Sequence, residues 1–147
     1  MKVHVIAFAV VSVAATSGFS TLLFAQSAQQ VSSWSGVYTA AQADNGRKLF
    51  DDNCAKCHQS TLEGMDEIPA LKGAHFMADW EQQSAADLME RIHTTMPLDN
   101  PGALDASKAT DVTAYLLQQN GMPAGDKPMV AGMLGTIRID PTKPDGG

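Results

Sequence analysis

The sequence is short of cysteine, of basic residues, of strand-like alternation and of unbroken hydrophobic runs, and each shortage excludes something. Two cysteines in 147 residues cannot build a multi-bridge disulfide scaffold. Ten Lys and Arg stand against 16 Asp and Glu, a formal charge of −6. Affinity for phosphates is carried by Lys and Arg, so the charge balance argues against nucleic acid as a partner. The acidic surface serves solubility and suits a basic docking patch on another protein. No paired carboxylates, nucleophile elbow or phosphate loop mark out a hydrolytic or transferase site, and there is no internal repeat or βαβ alternation.

The opening "MKVHVIAFAVVSVAATSGFSTLLFAQSAQQ" has one early lysine, an apolar run from Val5 and a small residue at Ala25. This is the pattern of a secretory signal, with residues 1–25 removed after Ala25. Ser12, Thr16, Ser17, Gly18, Ser20 and Thr21 interrupt the run before it reaches the roughly 20 apolar residues of a spanning helix. The expectation is an exported, periplasmic protein with no membrane span after cleavage. About 120 residues then remain, one domain with a modest core, which a bound group would supplement.

Beyond a linker at 26–36, Thr39 and Gln42 fit a reciprocal capping box at a helix start. Ala43, Gly46, Phe50 and Cys54 follow on one face at helical spacing. Residues 59–79, with Gly64, Pro69 and Gly73, read as an irregular loop. Ser84 with Asp87 starts a second helix carrying Ala85, Leu88, Met89 and Ile92, which Pro97 ends near Thr95. A third starts at Asp105 or Ser107, carries Ala109, Val112, Tyr115, Leu116 and Gln119, and stops at Asn120-Gly121. The class is all-α, without a convincing strand before residue 123. Residues 124–147, rich in Gly and Pro, read as a loosely attached tail in which "GTIRID" could pair as a short extended piece.

Both cysteines fall in Cys54-Ala55-Lys56-Cys57-His58, a C-x-x-C-H run and the attachment signature of c-type haem. Two thiols three residues apart on a helical turn project to one side, where each can add to a vinyl group, and the next residue presents an imidazole to the iron. Three rival readings are weaker. A thioredoxin-like redox pair lacks its βαβ context. Zinc needs two more ligands, and His75 and His93 lack the usual paired spacing. A bare disulfide leaves His58 unexplained.

With this motif between a first helix and a later methionine, and a last helix after both, residues 37–123 resemble a class I cytochrome c domain. The stretches "WSGVYTAAQADNG", "LKGAHFMADW" and "TTMPLDNPGALDASKATDVTAYLLQQNGMPAG" are further similar to small cytochromes that accept electrons from periplasmic quinoprotein dehydrogenases. The resemblance implies three main helices and loops wrapped around one haem c, attached through Cys54 and Cys57. It implies His58 as one iron ligand. The family's G-P-x-L-x-G pattern places the carbonyl of Pro69 as acceptor for the second ring nitrogen, although Ile68 replaces the first glycine here. The family's Met-Pro pair implies Met96 as the other ligand, with Met77 as its competitor and His93 as a helix-surface residue. Gly46 and Phe50 would meet Tyr115 and Leu116 where the first and last helices cross, and Trp80 would pack near the haem, donate to a propionate or simply fill the core.

The function implied is that of a mono-haem electron carrier, not an enzyme. Its donor would be a dehydrogenase and its acceptor an oxidase or another cytochrome. Two alternatives stay open at this point: a gas sensor or haem enzyme with an open distal position, and a cytochrome subunit permanently bound to a dehydrogenase.

Overall fold

The computed structural model describes residues 29–143; the expected signal segment lies outside them. Five α-helices carry the fold: α1 Ala40–Asn53, α2 Ala55–His58, α3 Gly73–Trp80, α4 Ala85–Thr95 and α5 Ala106–Gln119. Two short strands, β1 Val31–Ser32 and β2 Ile137–Arg138, pair in parallel, Val31 with Ile137 and Ser32 with Arg138. No helix among the described residues is long and apolar enough to cross a membrane.

The central packing is α1 against α5. It is close because α1 has no side chain at Gly46: a Cβ there would run into the carbonyl of Asp111 and into Tyr115. One turn on, the Phe50 and Tyr115 rings meet with centroids 5.4 Å apart and planes tilted by 52°, a geometry in which the ring quadrupoles attract. Phe50 is fully buried. The pairing expected from the sequence is thus present. Helix α5 is buried over more of its circumference than a single stripe, from Ala109 through Leu117 apart from Asp111, because α4 packs on it as well.

Helix ends follow local chemistry where that chemistry is close in sequence. Ser84 and Asp87 form a complete capping box on α4. Asp105, not Ser107, caps α5 through Lys108 N at 2.9 Å. At α1 only half of the expected box exists. Thr39 Oγ1 accepts from Gln42 N at 3.2 Å, but the Gln42 amide reaches away to Met129, donating to its carbonyl (3.0 Å) and accepting from its N–H (2.8 Å). A buried backbone pair far along the chain outcompetes the helix start for the same side chain.

Three expectations are corrected. Residues 73–80 are a helix, not loop; α3 has no capping side chain of its own, and its first N–H, on Gly73, is met by Asn120 Oδ1 at 2.9 Å. A strand does precede residue 123, because β1 pairs with the distant "GTIRID" stretch. Residues 124–143 do not trail loosely: Met129, Leu134, Ile137 and Ile139 are buried, each at most 2% exposed. Their apolar side chains cover α4 and α5, together with a 3-10 turn at Ala131–Thr136. The linker is likewise structured from Val31, with Ser33 buried and the Trp34 indole donating to the Asp140 carbonyl at 3.1 Å.

Candidate functional site

The C-x-x-C-H run is a single helical turn continuing α1. Cys54 N bonds to Phe50 O (2.8 Å), and His58 N bonds to Cys54 O (2.9 Å). Its side chains line a cavity of about 580 Å³, within the roughly 300–1,000 Å³ of small-molecule and cofactor pockets. Phe50, Leu71, Leu88, Ile92, Val112 and Leu116 make most of the wall apolar, and Cys54, Cys57, His58, Pro69 and Met96 open onto the same space. Both thiols are free. Burial, and secondarily the neighbouring Cys57, pushes the Cys54 thiol up to about 11, so an unmodified Cys54 stays neutral, as an apolar wall requires.

His58 is buried, and its Nδ1 lies 3.0 Å from the Pro69 carbonyl oxygen. A carbonyl can only accept, so Nδ1 carries the hydrogen and Nε2 keeps a lone pair available to a metal. The loop that delivers Pro69 is held without the family's first glycine. Met65 and Ile68 exchange backbone hydrogen bonds (3.1 and 2.8 Å), and Gly64 at φ 66° tucks under the Ile68 and Pro69 carbonyls, where a Cβ would clash. Glycine tolerates that backbone conformation without strain.

Met96 is the residue at which α4 ends. Its backbone is extended, its N–H bonds to Ile92 O at 3.2 Å, and it shares the cavity with His58. Met77 on α3 is half-buried against the core and does not line the cavity. His93 does not line it either. Half-buried, it holds the 98–104 loop through Nδ1 and the Leu104 carbonyl at 2.7 Å. His75 is exposed on α3. No third or fourth ligand therefore accompanies the cysteine pair in a zinc-like cluster among the described residues.

The residues fit a flat, largely apolar macrocycle attached at two thiols and liganded by an imidazole. The donor set, the apolar wall and the cavity size agree on that group. The comparisons with known proteins decide the matter, for the cytochrome c family profile matches residues 43–120, more than half of the chain. The chain belongs to the cytochrome c family. A cytochrome c6 from Synechocystis sp. is 30% identical over 81 residues, covering 54% of this chain and 68% of that protein. A chain in the crystal structure of the sulfane dehydrogenase SoxCD from Paracoccus pantotrophus is similar in fold, with a TM-score of 0.53 and 23% identity. That match covers 82% of this chain and 66% of the other. This cytochrome c is thus an electron-transfer protein of mostly helical fold, and its cofactor is haem c bound covalently through Cys54 and Cys57.

Two cavity residues of the cytochrome, Arg91 and Asp79, lay beyond sequence reasoning, whereas half-buried Trp80 lines the cavity in the first of its expected roles. Arg91 carried a signal, one turn after Leu88 on the apolar stripe of α4. Asn120 carried only half of one. It ends α5 as expected, but its Nδ2 also donates to Leu71 O at 3.1 Å while its Oδ1 caps α3, and nothing local announces that second role.

Proposed function

We propose that this cytochrome c is a mono-haem carrier whose iron is ligated by His58 and Met96, exported to the periplasm and reduced there by a dehydrogenase. The observation that carries the reading is the shared cavity: an imidazole with a free Nε2 and a thioether open onto one apolar space beside both thiols. Haem c supplies a one-electron ferric/ferrous couple. The chain does the rest. His58, fixed by Pro69, offers a basic nitrogen; Met96 offers a neutral thioether, which favours the reduced state; and the wall of Phe50, Leu88, Ile92 and Leu116 keeps water away. Were His58 and Met96 both to hold the iron, no position would be left on it for a substrate or a gas, which favours the carrier over the sensor or enzyme.

Export rests on the signal-like first 25 residues, and the family is generally extracytoplasmic. A quinoprotein dehydrogenase as donor rests on the resemblance of the stretches around Trp34, Ala74 and Met96, and an oxidase or another cytochrome would take the electron onward. The acidic surface would steer a basic partner into a transient encounter.

Adding carbon monoxide to the dithionite-reduced protein tests the saturated site. The visible spectrum should stay unchanged at neutral pH; a rapid shift to a carbon monoxide adduct would establish the open-site reading instead. Gel filtration with the dehydrogenase that reduces it then separates carrier from subunit: the carrier elutes on its own.

A further inference from the structure

The family match stops at residues 43 and 120, yet the flanks on either side are bound to each other and to the helices. Beyond the β1–β2 pairing, Asp140 N donates to Ser33 Oγ at 3.2 Å, Gly125 N donates to Tyr38 O at 2.6 Å, and the Tyr38 hydroxyl donates to Met122 O at 2.5 Å. The flanks are fastened to α1 by the two Gln42–Met129 hydrogen bonds. They are fastened to the start of α4 by Gln82 N to Ile139 O (2.8 Å) and Ile139 N to Gln83 O (2.9 Å).

Helix α4 is the element these flanks grip. It packs on α5 and on the flank, both its 3-10 turn and β2. Its Leu88 and Ile92 line the cavity, and its last turn presents Met96. Without the flank, α4 would keep α5 as its one large contact. We infer that the paired flanks, residues 31–38 and 122–140, form a clasp on α4 that sets how firmly Met96 is held in the cavity. The inference rests on Met96 being an iron ligand, as proposed above. Met96 is then a side chain whose retention is tuned by contacts outside the family domain, through the low-energy local openings that such peripheral elements govern.

Imidazole added to the oxidised holoprotein reads this directly. It binds where Met96 sits only while Met96 is away, so its apparent affinity scales with the open fraction. Gly125→Ala is the wedge: a Cβ there would collide with the Gly36 carbonyl and push the two flanks apart. Gly132→Ala is the control, the same change in the same flank with nothing within 4 Å. The expected result is imidazole binding at least about tenfold tighter in Gly125→Ala, with Gly132→Ala equal to the parent protein. Equal affinity in Gly125→Ala, even with a lowered melting temperature, would make the flank merely structural and overturn the clasp. Should Gly125→Ala not fold, Gln42→Ala, which deletes the two bonds to Met129 and adds no atoms, must show the same tightening, and parent-like affinity there overturns the proposal. The weak sulfur-to-iron band in the near infrared separates the two layers: its absence from the parent protein sinks the Met96 reading and the clasp with it, whereas its presence with unchanged imidazole affinity sinks the clasp alone.

Discussion

Gly64 lies directly beneath Pro69, in left-handed backbone at φ 66°, so close that a Cβ would overlap the Ile68 and Pro69 carbonyls. The Pro69 carbonyl is the group that faces His58 Nδ1. Gly64 therefore sets, from six residues down the chain, the position of the hydrogen bond that orients the His58 imidazole.

Gly64→Ala should consequently act on the redox couple as well as on the fold. The added methyl moves the Pro69 carbonyl, the His58 N–H loses its acceptor, and the imidazole becomes a poorer donor. A poorer donor stabilises the oxidised iron less, so the midpoint potential should rise, with a stability loss of about 1–3 kcal/mol from overpacking. Potentiometric titration and guanidinium unfolding of the holoprotein check both. A destabilised variant with an unmoved potential would show that the His58–Pro69 bond does not tune the iron.

Tyr38 gives the pH dependence. Its side chain is fully buried, and burial pushes its phenol up to about 12, against about 10 in the unfolded chain. The folded state therefore holds one proton more than the unfolded state between pH 10 and 12. The contribution is complete below pH 10 and is lost as pH rises through that window. At pH 11 the parent protein should have lost about 1.4 kcal/mol relative to pH 9 from this group, and Tyr38→Phe should lack that part of the slope. Denaturant midpoints at the two pH values measure it, with the remaining titrating groups cancelling between the variants.

How much of this was legible in the sequence depended on distance along the chain. The C-x-x-C-H turn, the Ser84 cap with Asp87 in its first turn, Asp105 as one of two capping candidates and the Gly46–Phe50 face of α1 are written within four residues of where they act, and all are found where expected. Met96 and Pro69 were reached through family resemblance, and the structure brings both to the cavity of His58. What was missed depends on partners far away. Helix α3 begins with the Gly73 N–H donating to the side-chain oxygen of Asn120, 47 residues on. The C-terminal segment looked loose because its Gly and Pro content masks the burial of Met129, Leu134, Ile137 and Ile139. The groups that hold it, Gln42, Ser33 and Trp34, lie 87 to 107 residues away. Glycine at 36 and 125 is not a mark of disorder here; it permits two backbones to touch.

The cavity makes folding depend on what fills it. Left unfilled, the apolar walls contributed by Phe50, Leu71, Leu88, Ile92, Val112 and Leu116 would face water in the folded state, and the burial forfeited, about 25 cal/mol per Å², weighs against a domain stability of only about 5–15 kcal/mol. The Cys54→Ala, Cys57→Ala double variant, prepared without haem, should therefore show no cooperative thermal transition by circular dichroism. A native-like transition would show that the helices and the clasp suffice on their own.

The most direct test of the account is near-infrared absorption of the oxidised holoprotein, compared among the parent chain, Met96→Leu and Met77→Leu. The account predicts a weak sulfur-to-iron band in the parent protein that persists in Met77→Leu and disappears in Met96→Leu. A band that survives Met96→Leu, or is lost in Met77→Leu, would contradict it.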